Sequence, residues 1–375
     1  MLLEDTRILK KPFFSIVIPT YNRASDLQFA LFCIFQQTFY DFEVVISDNC
    51  STDNTKDIVS KFRNKKISYS RTKKTVGNAL NMKRAIQQAK GEYVFLHSDD
   101  DFLLNKYSLR EIYKEIIKYN PGYIRVNYLS LSLDRKRIFS YKVNKPFTRN
   151  EYIPSLLENK KVVTFIVDSD PYFITGIIFK NTLPADIKMV DSDPAPWIEI
   201  LFYMVKNFGA CFIMQPYIIA FWSRRRIKKD AKHHIFLLIN GKLRAENYFN
   251  VVKEKLNKGE YGTFLHDELM RLYVRLFPVI KVYAGNKIML QMSVRIRLLD
   301  PTMKKNITYW TYLIGALIIP KILLRITRDV YIYMYARFSK VDGNKELVET
   351  LKDLELKYRN STENVANRND RIFRF

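Results

Sequence analysis

Cysteine is scarce in this chain, whose 375 residues include only Cys33, Cys50 and Cys211. Their wide separation matches neither a zinc-binding spacing nor a disulfide framework, so we expect a reducing compartment. Residues 1–11 also lack the apolar core of a signal peptide. The longest apolar run, residues 309–319, ends before Pro320 and is shorter than the roughly 20 residues that span a bilayer. A buried or interfacial helix is therefore predicted there.

Acidic residues are under-represented, with 38 Asp and Glu against 62 Lys and Arg and a formal net charge of +24. This excess predicts an acidic partner, which is nucleic acid, anionic lipid or a phosphorylated substrate. A nucleic-acid partner is not expected, because the chain has no known nucleic-acid motif. No glycine-rich phosphate loop follows Pro19, which argues against a nucleotidyltransferase. The 47% hydrophobic content excludes a disordered chain.

Strand and helix patterns alternate along the first hundred residues. Apolar runs at residues 13–18, 42–46, 67–70 and 93–96 predict strands, with helices at 26–37, 51–62 and 78–89 between them. This alternation is typical of a parallel sheet with helices on both faces. The predicted fold class is therefore α/β, with a Rossmann-like, mostly parallel sheet and a C-terminal helical region.

The second half of the chain is less regular. Strands are predicted at residues 123–131, 138–143, 173–179 and 217–222, and helices at 107–119 and 197–207. Beyond about residue 230 the pattern predicts helices. We expect a first domain at residues 1–229, a basic helical region at 230–357 and a flexible tail at 358–375.

Polar clusters follow three of the predicted strands, at residues 20–23, 47–49 and 98–101. The carboxyl ends of parallel strands meet at one sheet edge, where ligands bind. Three consecutive carboxylates at Asp99, Asp100 and Asp101 repel one another unless a cation or water compensates them. A divalent metal such as Mg²⁺ or Mn²⁺ suits these hard oxygens. The alternative is a solvated acidic loop.

Three ordered motifs resemble those of the family 2 glycosyltransferases with the GT-A fold: Pro19-Thr20-Tyr21-Asn22-Arg23, Ser47-Asp48-Asn49 and Ser98-Asp99-Asp100-Asp101. The resemblance covers residues 12–225 and is most specific before residue 105. It implies the GT-A fold, a nucleotide-sugar donor and a divalent metal, Mn²⁺ or Mg²⁺.

The resemblance also implies roles for individual donor-binding residues. The nucleoside pocket would be lined by Pro19, Thr20, Tyr21 and Asn22, with Arg23 near the phosphates. Asp48 would accept a hydrogen bond from the base, or it ends its strand in an Asx turn. Asp53 matches a further motif aspartate, or it is a helix-terminal carboxylate.

In the Asp-X-Asp motif of the family, the first carboxylate faces the ribose and the last binds the metal. The implied metal ligands are Asp101 and Asp99, while the triplet leaves Asp100 as an alternative ligand. His97 is expected to be a neutral residue at the end of its strand.

The resemblance implies a catalytic base just before a helix, where both Asp193 and Asp191 qualify; Asp193 is favoured, and a helix N-cap is its alternative role. The implied acceptor-binding residues are Thr175, Gly176, Trp197 and Glu199. Many relatives place a third metal ligand, a histidine, after the strand at 217–222. This chain has Ser223 and three arginines there instead.

The function implied is inverting, metal-dependent transfer from a nucleotide-sugar, with UDP favoured, to a saccharide or polyprenyl-linked acceptor in bacterial surface glycan synthesis. Basic helices at residues 289–299 and 322–338 suit an anionic membrane surface. We therefore expect a cytoplasmic protein at the inner face of the membrane. A helical bundle packed on the first domain is the alternative for these helices. A non-catalytic nucleotide-sugar-binding relative or a basic nucleic-acid-binding protein is the alternative for the whole chain.

Overall fold

The computed structural model describes residues 11–62, 66–131, 138–140, 147–184, 187, 189, 195–221, 238–239, 241–327, 330 and 345–362. Its strands are β1 Phe14–Thr20, β2 Phe42–Asp48, β3 Ile67–Arg71, β4 Tyr93–Leu96, β5 Phe102–Leu103, β6 Tyr123–Leu131, β7 Ile138–Ser140, β8 Glu151–Ile153, β9 Ile177–Lys180, β10 Ala210–Phe221, β11 Leu238–Ile239 and β12 Lys242–Leu243. Its helices are α1 Ala24–Phe35, α2 Thr55–Lys61, α3 Asn78–Gln87, α4 Ser108–Tyr119, α5 Asn159–Asp168, α6 Ile198–Phe208, α7 Glu246–Lys253, α8 Lys258–Leu272, α9 Phe277–Leu299, α10 Ile307–Ile318, α11 Lys321–Thr327 and α12 Lys345–Thr362.

One mixed sheet of ten strands organises the first part of the chain, in the order β3-β2-β1-β4-β9-β6-β10-β5, with β7 beside β6 and β8 beside β10. The strands β3, β2, β1 and β4 are parallel, as are β6 and β10. Between these two groups β9 runs antiparallel to both neighbours. The predicted α/β fold class is confirmed, since the first four strands are the alternating strand–helix segment of the sequence.

The second half of the sheet departs from the predicted element bounds. Strand β9 begins at Ile177 instead of residue 173, because the preceding residues form turns that end at Gly176, whose φ is +88°. Strand β10 begins at Ala210, well before the predicted residue 217. Helix α5 was not predicted, and the short β11–β12 hairpin interrupts the region that was expected to be helical.

Two apolar clusters cover the two faces of the sheet. One contains Ile16, Ile46 and Phe95 with Leu31 of α1. The other joins sheet residues such as Val17 to side chains of α6 and of the C-terminal helices, including Leu201, Tyr248, Leu269, Met292 and Tyr309. Fully burying one such side chain contributes about 1.5–3 kcal/mol. The helices α7 to α10 therefore complete the core on one face of the sheet.

The C-terminal helices are interrupted at two positions. Helix α9 breaks at Gly285, which has φ +84° and ψ 172°. Between α10 and α11 the helix direction bends by 116° around Pro320. Among the described residues no single helix is long and apolar enough to cross a bilayer; α10 and α11 pass that test only as a bent pair.

Helix α12 packs against the start of the chain. Its Leu351 and Leu354 belong to a cluster with Phe29 and Phe32 of α1, and the Tyr358 ring stands edge-on to both phenylalanines, with centroids 5.0 and 5.2 Å away. The helix continues to Thr362, so the predicted flexible tail at 358–375 begins inside a helix. Residues 363–375 lie outside the described part.

Candidate active site

The three polar motifs of the sequence meet at one edge of the sheet. Thr20 at the end of β1 pairs in register with Asp48 at the end of β2. On the other side of β1, Leu96 pairs with Val17, which brings the residues after β4 beside those after β1. The parallel strands thus produce the convergence that the sequence predicted.

Residues of the first motif hold the acidic triplet. The Thr20 hydroxyl donates to Asp99 Oδ2 at 2.8 Å, and the Arg23 Nη1 atom lies 3.0 Å from Asp99 Oδ1 and 2.7 Å from Asp100 Oδ2. The Ser98 hydroxyl donates to the other oxygen of Asp100. The Arg23 guanidinium, which was predicted to lie near the donor phosphates, forms a bridge between two carboxylates that are almost completely buried.

This ion pair counters the cost of burying the Asp99 charge. Burial raises the pKa of Asp99 to about 6, the Arg23 guanidinium lowers it, and the neighbouring Asp100 carboxylate raises it further. Burial therefore outweighs the arginine. The network keeps the two carboxylates side by side at the end of β4.

Asp101 belongs to a second network, formed with the turn before β9. The Thr175 hydroxyl donates to Asp101 Oδ2, and the same hydroxyl accepts the backbone N–H of Ser98 at 2.9 Å. Both residues are buried. Thr175 therefore orients the third carboxylate of the triplet relative to the end of β4, and the structure joins a predicted acceptor residue to a predicted metal ligand.

Carboxylates such as those of the triplet are the oxygen donors that suit a hard divalent cation. Within the described ranges no three His, Cys, Asp or Glu side chains form a complete ligand set. Mg²⁺ typically binds through one or two carboxylates plus substrate phosphates. Asp99 and Asp101 fit that requirement, since the remaining ligands would come from the donor. Asp100 is held by Arg23 and Ser98.

His97, directly before the triplet, is fully buried and neutral at physiological pH. Burial lowers the pKa of His97 to about 4, although the Ser98 carbonyl, 2.6 Å from Nδ1, acts in the opposite direction. Its Nε2 atom has no hydrogen-bond partner. The predicted neutral state is confirmed.

The carboxylate of Asp48 is enclosed by the loop that follows β2. Its Oδ1 accepts the Ser51 backbone N–H at 2.8 Å, and its Oδ2 accepts the Tyr69 hydroxyl at 2.6 Å and lies 3.5 Å from Arg71 Nε. The bond to Ser51 reaches the backbone three residues on, one residue further than in an Asx turn. Partial burial and the bond to Asp48 raise the pKa of Tyr69.

The loops after β1 and β2 are tied together by side chains. Asn22, in the left-handed region with φ +54°, accepts the Thr52 N–H at 2.7 Å and donates its own N–H to Ser51. Asp53 accepts the N–H groups of Ala24 and Thr55, at the starts of α1 and α2. Asp53 thus has the helix-terminal geometry that was one of its two predicted roles.

Two predicted donor-pocket residues lie at the mouth of the site. Tyr21 is 45% exposed, and Pro19 is half-buried near the end of β1. An aromatic ring that is free on one face can stack on a nucleobase. Thr20 and Arg23 of this motif contact the acidic triplet, and the exposed Asn22 contacts the loop after β2.

The turn before β9 is held by a buried arginine. Arg125 of β6 is fully buried, and it donates to the carbonyls of Ser169, Phe173 and Thr175 at 2.9–3.0 Å. At Gly176 an added Cβ would lie 2.9 Å from the Val126 carbonyl. The close approach that this glycine permits is therefore made by the protein's own β6, whereas the sequence suggested a ligand.

The described contacts of Trp197 and Glu199 are with other parts of the protein. Trp197 is 4% exposed, packs in the core and donates its Nε1–H to the Pro171 carbonyl at 2.9 Å. Glu199 lies 3.6 Å from Lys255 Nζ. The base candidates Asp191 and Asp193 and the basic residues 223–226 lie outside the described residues.

The sequence did not identify Arg125, Tyr69 and Arg71 as residues of the site. Arg125 donates to the Thr175 carbonyl, and Tyr69 and Arg71 contact the Asp48 carboxylate. A charged residue in the apolar strand at 123–131 was a usable signal for Arg125, because a buried cation requires specific partners. Tyr69 and Arg71 belong to a strand that is only half-buried, where a polar residue is not unusual.

Comparison with known proteins agrees with this geometry. Residues 15–168 match the sequence model of the family described as Glycosyl transferase family 2. Poly(ribitol-phosphate) beta-N-acetylglucosaminyltransferase TarS of Staphylococcus aureus is 39% identical over 103 residues, which are 26% of this chain and 18% of TarS. The Escherichia coli enzyme WfaP, named as a UDP-Glc:alpha-D-GlcNAc-diphosphoundecaprenol beta-1,3-glucosyltransferase, is 31% identical over 120 residues, 31% of this chain and 48% of WfaP. The chain therefore spans less than half the length of these curated relatives.

A solved structure extends the likeness beyond the aligned sequence. The crystal structure of S. aureus TarS 1-349 in complex with UDP-GlcNAc superposes on 84% of this chain and 92% of that chain, with a TM-score of 0.56 and 18% identity. At this identity the likeness concerns the fold. The chain has the GT-A fold that its three motifs predicted, and within it residues 15–168 match the sequence model of glycosyltransferase family 2.

Proposed function

We propose that this protein transfers a sugar from a UDP-sugar, with the help of Mn²⁺ or Mg²⁺ and with inversion, to a saccharide or polyprenyl-linked acceptor of a bacterial surface glycan. The observation that carries the proposal is the network at the ends of β1 and β4. There Thr20 and Arg23 hold two carboxylates of the buried acidic triplet. A buried carboxylate cluster at a ligand-binding sheet edge suits a diphosphate–metal complex.

The proposed donor follows from the relatives and from the residues at the ends of β1 and β2. WfaP is named for a UDP-glucose donor, and the TarS structure contains UDP-GlcNAc. In this chain the exposed Tyr21 ring would stack on the base, and Asp48 at the end of β2 would face it. Arg23 would turn from Asp100 towards the diphosphate as the donor binds.

The metal would be held by Asp101 and Asp99. When bound, such an ion neutralises the charge that builds up on the departing diphosphate. Thr175 fixes the orientation of Asp101 through its hydroxyl, and Thr20 does the same for Asp99. Because these contacts already hold the two side chains in place, binding of the metal would cost less side-chain conformational entropy.

Inverting transfer also needs a base for the acceptor hydroxyl. We propose Asp193 for this role, with Asp191 as the alternative, and Thr175 and Glu199 as residues near the acceptor. In this proposal residues 1–229 bind the donor, and the basic region at 230–357 faces the anionic inner surface of the cytoplasmic membrane, where a polyprenyl-linked acceptor is found.

The first test of the proposal is an Asp101→Asn variant compared with Asp57→Asn, the same change at an exposed position on α2. The quantity measured is the affinity for UDP by calorimetry, with and without Mn²⁺. We expect Asp57→Asn to keep the metal-dependent gain in affinity and Asp101→Asn to lose it, at least tenfold. An Asp101→Asn protein that keeps the full gain would contradict the metal assignment.

A further inference from the structure

The outer face of α10 is apolar and has no protein partner in the described structure. Its inner face packs on the core through Tyr309, Leu313 and Ala316. On the opposite face Ile307, Ile314 and Ile318 are 83%, 47% and 74% exposed. A stripe of isoleucines that faces solvent costs solubility, and such a surface normally indicates a binding partner.

The apolar surface continues around the bend into α11. Leu324 is the one buried residue in this short helix, while Ile322, Leu323 and Ile326 are 60%, 48% and 50% exposed. Twelve of the twenty exposed large apolar side chains among the described residues lie between residues 290 and 330. We call the outer faces of α10 and α11 the apolar platform.

The charged side chains of the segment that carries the platform all have the same sign. Residues 301–327 contain no Asp or Glu. They contain four cations, all exposed, two of them just before α10 and two within α11: Lys304, Lys305, Lys321 and Arg325. An apolar surface whose own segment carries only cations complements the headgroups and acyl chains of an anionic leaflet.

The geometry of the platform favours a position along the membrane surface. Helix α10 has 12 residues, about 18 Å in length, against a hydrocarbon thickness of about 30 Å. Lys281 anchors the bend from the protein side, since its Nζ lies 3.1 Å from the Leu317 carbonyl and 2.8 Å from the Ile319 carbonyl. These bonds satisfy carbonyls at the end of α10 and keep the exposed face outward.

We infer that the apolar platform is a membrane-docking surface that lies in the interface of an anionic leaflet. This inference rests on the proposed transfer to a lipid-linked acceptor for its biological role. A second copy of the chain is the other occupant to consider. Two platforms in contact would bring like charges together on molecules with a formal charge of +24 each, which opposes association.

The test uses the full chain and flotation with vesicles of phosphatidylcholine, alone or with 30% phosphatidylglycerol added. The platform variant carries Ile318→Ser, Ile322→Ser and Ile326→Ser. Its matched control carries Ile117→Ser, Leu156→Ser and Leu356→Ser, at positions that are 55%, 80% and 58% exposed elsewhere on the surface. A charge variant carries Lys321→Gln and Arg325→Gln.

We expect the wild-type chain and the control to float with anionic vesicles and the platform variant to bind at least tenfold more weakly. The charge variant should bind anionic vesicles about thirtyfold more weakly. Equal flotation of platform and control variants would overturn the inference. So would a dimer in light scattering that the platform substitutions abolish, since it would identify a second copy as the occupant.

Donor binding separates this inference from the proposed function. The platform variant should bind UDP with Mn²⁺ as the wild type does, because none of its substitutions touches the site. Loss of flotation with intact UDP binding supports the platform alone. Normal flotation of a wild-type chain that binds no nucleotide would refute the proposed donor and leave the platform standing.

Discussion

Replacement of Thr175 by valine tests how the acidic triplet is held in place. Valine has nearly the shape of threonine, so the change leaves no cavity and removes only the hydroxyl. That hydroxyl accepts the buried Ser98 N–H at 2.9 Å and donates to the buried Asp101 carboxylate. Leaving a buried polar group unsatisfied costs about 1–3 kcal/mol, and more for a charged one. We therefore expect Thr175→Val to lower the free energy of unfolding by about 2–5 kcal/mol.

Thr175→Ser is the matched control, since it keeps the hydroxyl and loses one buried methyl group, worth about 1 kcal/mol. Urea unfolding followed by tryptophan fluorescence gives both values. UDP titration with Mn²⁺ gives the second readout, in which serine should retain the metal-dependent affinity and valine should lose most of it. If the two variants unfold within 0.5 kcal/mol of each other, the hydroxyl does not organise the triplet and the reasoning is wrong.

The other predictions concern packing and pH. Gly91→Ala would place a Cβ 2.5 Å from the Ser15 backbone nitrogen, so we expect a loss of about 1–3 kcal/mol in unfolding free energy. Gly262→Ala in α8, where a Cβ meets nothing within 4 Å, should raise the free energy of unfolding by about 0.5–1 kcal/mol. Equal shifts of the two variants in thermal melts would contradict the close contact at Gly91. His97 is buried with a pKa lowered from 6.5 to about 4, so its contribution to stability is present above pH 6.5 and is lost as the pH falls towards 4. The stability difference between pH 7 and pH 4 should therefore be about 3 kcal/mol smaller in His97→Gln, and an unchanged difference would show that His97 is not buried in the neutral form.

The part of the fold that the sequence predicted best is the part with the most regular pattern. Strands β1, β2 and β4 are buried on both faces and read as continuous apolar runs, so their positions and parallel order followed from the residues alone. Beyond Leu131 the strands other than β10 are short, and β9 inserts antiparallel between β4 and β6. Pairing between strands that are far apart in sequence leaves no local signal, which explains the misplaced start of β10. Helix α5 was missed as well.

The candidate site was predicted in its composition more than in its contacts. Strand-end motifs identified Thr20, Arg23 and Asp99, because the ends of parallel strands converge by topology. The partner of Arg23 did not follow from the sequence, since a carboxylate and a phosphate attract a guanidinium equally well. The roles of Trp197 and Gly176 also depended on burial, which is decided by the neighbouring elements β6, β10 and α6.

The shared core has a consequence for how this protein can be divided. The family match ends at residue 168, yet Val17 and Leu96 of the central strands belong to the same apolar cluster as Met292, Tyr309 and Leu313. A fragment cut at residue 229 would expose that face of its sheet to water. The helices α7 to α10 are therefore not a separable domain. The apolar platform is joined rigidly to the sheet whose edge carries the acidic triplet. Any surface that holds the platform also fixes the direction in which the opening of the site points.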